Sequence, residues 1–188
     1  MSDKYKIFEG DEVYFVTFTI VEWINVLAEH NYKMIIIDSI SYCQSNKGLV
    51  VYGYCIMPNH VHMIIQATQQ NSLSAILRDL KKFTSKAIVN KLLIENSEES
   101  NNILSKFREA GKHLTRIKDY KVWQDGNRAK LIYSNKFLWE KLTYIHNNPV
   151  EKGLCDQPWD YLYSSATNYT DKKSLLDVVC LSVPLGNV

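Results

Sequence analysis

The sequence predicts an α+β fold, an antiparallel sheet with helices packed on one face, and three observations lead there. The first is a segment of alternating β-branched and aromatic residues, DEVYFVTFTIVEW, from Asp11 to Trp23. The second is a pair of apolar stretches, Leu49 to Met57 and His60 to Ala67, joined by Pro58-Asn59, a turn dipeptide that makes them a hairpin. The third is amphipathic helix periodicity between and after these strands.

In order along the chain, the first strand presents Val13, Phe15, Thr17 and Thr19 to one side and Tyr14, Val16, Phe18 and Ile20 to the other. Asn31 to Asn46 follows at near-helical period through Met34, Ile37, Ile40 and Tyr42, and Gly48 is a stop signal. After the hairpin, Asn71 or Ser72 caps a helix whose stripe is Leu73, Ile76, Leu77, Leu80, Phe83, Ala87 and Ile88, with Arg78, Lys81, Lys82 and Ser85 opposite. Glu95 to Asn102, ENSEESNN, is polar and acidic, so residues 95–105 read as a flexible loop. Tyr120 to Gln124 reads as a fourth strand, and Ser134 or Asn135 caps a last helix ending near Pro149. Pro149 places Asn148 at that helix's end. Pro58 at a turn, outside any strand interior, suits an antiparallel sheet.

A length of 188 residues suits one domain, with 170–188 as a C-terminal extension, and 46% hydrophobic residues against 22% charged is enough for a packed core. No run approaches the ~20 apolar residues a membrane span needs, and the polar start from Met1 to Gly10 lacks a signal-peptide core, so a cytoplasmic protein is expected. Four cysteines without a CxxC pair read as reduced core thiols. Net charge is only +2, but Arg78 to Lys91 carries +4 and Lys106 to Lys130 carries +5, leaving −7 on the remainder. Two basic segments in an otherwise acidic chain fit a polyanion footprint, and equally a pair of solvated helix faces. Neither GxxxxGK[ST] nor GxGxxG occurs, so nothing marks a nucleotide cofactor.

Two constellations carry chemistry. His60 and His62 are one residue apart in a strand, so both imidazoles share a face, as a metal requires; two partly exposed surface histidines would show the same spacing. In KLTYIHNNPV, Tyr144 and Asn148 are four apart and project from one side of the last helix, while Leu138, Leu142 and Ile145 form its buried stripe. A helix-ending Asn-Pro turn beside a core-edge tyrosine is the plainer alternative.

Taken together, MPNHVHMII (57–65), LRDLKKFTSKAI (77–88), VWQDGN (122–127), YIHNNPVEKG (144–153) and YLYSSATNY (161–169) resemble the single-tyrosine HUH transposases. The chain is most similar to their REP-associated tyrosine transposase branch. The resemblance implies a ferredoxin- or RRM-like HUH fold in which His60, His62 and Asn148 hold a divalent cation, Mg²⁺ or Mn²⁺, and Tyr144 is the nucleophile. It further implies cleavage of single-stranded DNA beside a hairpin, a 5′-phosphotyrosine link, and rejoining by a 3′-hydroxyl. A tyrosine hydroxyl of pKa ~10 is about one part in a thousand ionised at pH 7, near 4 kcal/mol that the site must offset. A cation polarising a phosphate oxygen would do so. Arg78, Lys81, Lys82, Lys86, Lys121, Arg128 and Lys130 are then candidates to grip DNA phosphates. Tyr52, Tyr54, Trp123 and Trp159 are candidates to stack on unpaired bases. The partner expected is single-stranded or hairpin DNA, with no membrane. A homodimer is possible, because some members of the family exchange the tyrosine helix. Two other readings are a non-catalytic hairpin-binding derivative and a metal-dependent hydrolase, the latter with Glu140 as its only nearby carboxylate.

Overall fold

Strand alternation decides how the computed structural model, which describes residues 7, 10–68, 72–115, 119–170 and 172–181, is layered. Its elements run β1 (Tyr14–Thr19), a 3₁₀ turn (Val21–Trp23), α1 (His30–Lys47), β2 (Leu49–Ile56), β3 (His60–Ala67), α2 (Leu73–Glu95), α3 (Glu98–Gly111), β4 (Lys130–Leu131) and α4 (Asn135–Glu151). The sheet is antiparallel with order β2-β3-β1-β4. Tyr14, Val16 and Phe18 of β1 and Val61, Met63 and Ile65 of β3 point to one face, where Ile36 and Ile40 of α1 and Ile76, Leu77 and Leu80 of α2 cover them. Phe15 and Ile64 point to the other and meet Leu142 and Ile145 of α4.

The α+β class is therefore the one the sequence predicts, and the fourth helix adds to it. Helices α1 to α3 share one face, whereas α4 crosses the opposite one. Its close approach to β2 depends on Gly53, where a Cβ would sit 2.7 Å from Leu142 Cδ1. Ser165, in a 3₁₀ turn (Ser165–Thr167), ties the same place together. The Tyr54 N–H donates to Ser165 Oγ at 2.8 Å, and His146 Nε2 of α4 lies 2.8 Å from that oxygen.

Three expectations change. Residues 95–105 are not a loop: α2 runs to Glu95 and α3 begins at Glu98, its N-terminus capped by the Ser97 side chain accepting from Ser100 N–H. Glu98 and Glu99 sit in the first turn, where the helix dipole favours them, and Leu104 and Phe107 are buried against the main core. Tyr120 to Gln124 makes one bridge, Trp123 to Ile20, instead of a ladder, because the chain turns away just after Ile20, through left-handed Glu22 and Trp23; the fourth strand is Lys130–Leu131. Pro149 lies inside α4, which continues to Glu151, so Asn148 is helical. A proline in the last turn removes only one intrahelical donor.

Of the two caps considered for α2, Ser72 occupies the N-cap position without a side-chain cap bond, and Asn71 lies outside the described residues, as do Lys118 and residues 182–188. The described part of the C-terminal segment packs on the domain. Leu176 is buried in the main core, and Val179 N–H donates to Val51 O at 2.9 Å. Among the described residues, no helix is long and apolar enough to cross a membrane.

Candidate functional site

Two periodicities match across the sheet face that α4 covers. Residues i and i+2 of a strand are ~6.6 Å apart, and residues i and i+4 of a helix advance ~6 Å, so two rungs can align. Tyr144 lies against His62, ring centroids 5.2 Å apart, and the Asn148 side chain meets His60. The imidazoles are themselves adjacent, with centroids 4.6 Å apart. Tyr144 Oη is 3.5 Å from His62 Nε2, within one chain. The tyrosine is 40% exposed while His60, His62 and Asn148 are buried, so it lies at the surface over a recessed pair of rings.

Neighbours aim the rings. The Asn59 carboxamide donates to Asn25 Oδ1 (2.7 Å) and to Trp23 O (3.2 Å), which turns its oxygen toward His60 Nδ1 at 2.7 Å. A carboxamide oxygen only accepts, so His60 carries its proton on Nδ1 and Nε2 is its unprotonated nitrogen, on a ring that the Asn148 side chain meets. Thr17, opposite His62 in the β1–β3 register, places its hydroxyl 2.8 Å from His62 Nδ1 and can hold it in the same tautomer. Such outer partners are what fix histidine ligands in metal sites.

Burial keeps both rings neutral. His60 is pushed down to about 4, by desolvation first and then by Lys152 and Arg128, with the Asn148 contact opposing. His62 is pushed down to about 3 by desolvation, then by His60 and Lys141. Neutral imidazoles are the form that ligates a metal. Asn148 Oδ1 is buried without a hydrogen-bond partner, and so is Thr19 Oγ1, which is opposite His60 in the register. An unsatisfied buried oxygen beside two neutral imidazoles fits a cation with positions left for phosphate and water, and suits Mn²⁺ or Mg²⁺ better than a closed zinc site. Among the described residues, no group of three or more His, Cys, Asp or Glu converges to make one.

The cations nominated from sequence separate into groups. Arg78, Lys82 and Lys86 stand exposed on α2, across the sheet from the imidazoles, and Arg78 pairs with Asp79 at 3.0 Å. Lys81 is not a free surface cation. It is largely buried, drawn down to about 8 by desolvation, and its ammonium donates to the carbonyls of Gln124 (2.9 Å) and Gly126 (2.8 Å). It clamps the segment that runs along β1, where Asn127 O accepts from Thr17 N–H at 2.8 Å. Lys121 is paired with Asp125 at 2.9 Å, and Lys130 stands exposed on β4. Arg128 is exposed and near enough to His60 to bear on its protonation.

Lys141 and Lys152 were not anticipated. Lys141 Nζ lies over the Tyr144 and Phe15 rings, 5.6 and 5.4 Å from their centroids. Thr17 and Asn59 were also missed as supports, although the alternation of β1 already placed Thr17 on the side that proves to hold the site. Of the stacking candidates, Trp123 and Tyr54 are core residues, Tyr52 is half-buried and Trp159 is partly exposed.

Fold and site together describe a sheet-borne histidine pair completed by a tyrosine helix. Residues 14–148 match the family described as Transposase IS200 like, and the chain belongs to that family. The expected likeness to transposases is thereby upheld, and relatives of the REP-associated branch are among the proteins the chain is similar to. A curated relative from Haemophilus influenzae, described as a REP-associated tyrosine transposase, is 31% identical over 113 residues, 59% of this chain. The chain spans about half that relative's length, 55%. A solved structure described as a REP-associated tyrosine transposase bound to a REP hairpin superposes with a TM-score of 0.65 over 100% of this chain and 98% of its own. At 16% identity it shows the shared fold alone.

Proposed function

We propose that this chain is a metal-dependent single-strand DNA transesterase that cleaves beside a hairpin through Tyr144 and rejoins strands, in DNA transposition or repeat processing. One observation carries the reading: in a chain of this family, the Tyr144 hydroxyl, two neutral imidazoles and an unsatisfied Asn148 oxygen converge on one sheet face within one protomer.

His60, His62 and Asn148 would hold the divalent cation, Mg²⁺ or Mn²⁺. When bound, it supplies the charge that polarises a non-bridging phosphate oxygen and stabilises the transition state. Tyr144, on a rigid helix and exposed, presents its oxygen to a phosphodiester entering from solvent. The Tyr144 Oη–P bond forms as the P–O3′ bond breaks. The phenolic proton passes to solvent and the departing 3′-oxygen takes one up, so one ester replaces another and no nucleotide is consumed. In reverse, a 3′-hydroxyl attacks the same phosphorus and restores the tyrosine. The Lys141 ammonium over the Tyr144 ring places positive charge where a phenolate develops. Arg128 and Lys152 add positive charge on the His60 side, suited to a DNA backbone. Because one chain assembles the whole set, a monomer suffices for the chemistry.

Incubation with a 5′-labelled or 3′-labelled hairpin carrying a single-stranded flank, in Mg²⁺ or Mn²⁺, tests this. The expected result is a denaturation-resistant protein–DNA adduct with the label on the 3′ side of the break. Tyr144→Phe lowers its formation by at least ~10³-fold while hairpin affinity stays within about twofold. An adduct persisting in that variant removes Tyr144 from the role. Tight hairpin binding with no adduct in either metal leaves a non-catalytic binding protein instead.

A further inference from the structure

We propose that Trp23 is a stacking platform for an unpaired nucleobase in the single-stranded flank next to the scissile phosphate; this rests on the transesterase reading and deepens it. Trp23 is 51% exposed, the wrong environment for a core indole, and its ring stands edge-on to His60 with centroids 5.8 Å apart. A base whose phosphate lies at the histidine pair is within one nucleotide's reach of that indole.

The backbone there is held at a cost. Glu22 and Trp23 both adopt left-handed conformations, φ 53° and 57°, which side chains of this size rarely take. Strain of this kind persists only where the surroundings impose it, and it gathers at functional sites. Of the four non-glycine residues at positive φ among those described, Arg128 is a third, at 45°, and it too lies on the His60 side. Three bonds fix the turn: Trp23 N–H to Ile20 O (3.1 Å), Ile24 N–H to Val21 O (3.2 Å) and Asn59 Nδ2 to Trp23 O. Asn59 therefore orients the His60 ring and pins the Trp23 carbonyl with one side chain, holding the Trp23 backbone beside the imidazole pair. A planar apolar surface beside a polar site, with the charge of Arg128 bearing on His60, is the arrangement that binds a base by its face and its phosphate by charge.

The test is equilibrium binding by fluorescence anisotropy in a Tyr144→Phe background, using a labelled hairpin without a flank, with an intact flank, and with an abasic site moved one position at a time along it. Trp23→Ala is expected to weaken binding to the intact flank about tenfold and leave the flankless hairpin unchanged. One abasic position should reproduce that loss in the parent and add nothing in Trp23→Ala, while Trp23→Phe keeps most of the affinity. Equal weakening on the flankless hairpin, losses that add at every position, or unchanged binding by Trp23→Ala each overturn the proposal. Absence of a covalent adduct in the wild-type protein would instead count against the transesterase reading, since the binding cycle does not depend on cleavage.

Discussion

The two faces of the sheet are made by the same strands and do opposite work. Under α1 and α2, odd residues of β3 and even residues of β1 join a continuous apolar core. Under α4, the alternate residues form only a small apolar cluster, and beside it lie His60, His62, Thr17 and Thr19. Stability is concentrated on the first face, so the second can carry desolvated polar groups that cost free energy, and period-two alternation keeps the two sets apart.

Exchanging damage between the faces gives the sharpest test. His62→Gln should reduce divalent affinity and adduct formation by at least ~100-fold with little change in Tm, whereas Phe18→Ala should cost ~3–5 kcal/mol of stability and leave cleavage per folded molecule near normal. Calorimetry and a labelled-hairpin assay on the same preparations read both. Cleavage lost in proportion to stability in both variants would mean the faces are not separable.

Thr17→Val comes next, removing the hydroxyl at His62 Nδ1 with little change of shape. Metal affinity should fall ~10–100-fold by titration calorimetry. An unchanged affinity would show that packing against Phe15, 5.5 Å away, orients the ring by itself.

Acid should then distinguish the faces by sign. His60 and His62 are depressed from 6.5 to about 4 and about 3, so between these values the unfolded chain binds more protons. Their contribution to stability is fully present above pH 6.5 and lost as pH falls toward the folded values. Tm of the metal-free protein should drop across that window, with a shallower drop in the double variant His60→Gln, His62→Gln. Metal affinity should hold from about pH 7.5 to about pH 5.5, where ordinary histidines would lose it.

The smallest effect concerns surface charge. Lys152→Gln, on the α4 side, should lower the salt dependence of hairpin binding by about one ion, and Lys82→Gln, across the sheet, by less. Equal slopes would mean DNA wraps both faces.

Local patterns made much of this legible. Alternation sorts the β1 side chains onto their two faces, and the HxH and Tyr-x₃-Asn spacings put each pair on one side of its own element; only the family resemblance implies that the two pairs meet. What escaped were properties of reach and context. Lys81 looked like a surface cation because its helical position faces away from the stripe; only the incoming 124–127 segment turns it into a clamp. The segment that became α3 was discounted for its polarity, although Ser97, Glu98 and Glu99 form a helix-start signal and Leu104 and Phe107 supply an apolar stripe. The outer partners Asn59 and Thr17 depend on register, which no single element reveals.

The Ser165 contact has a practical corollary. The helix bearing Tyr144 is latched to β2 from downstream, by a turn beyond residue 148 where the family match stops. Excising that tail to obtain a minimal domain would leave the distance from Tyr144 to the imidazoles set by the apolar packing of Leu142 and Ile145 alone.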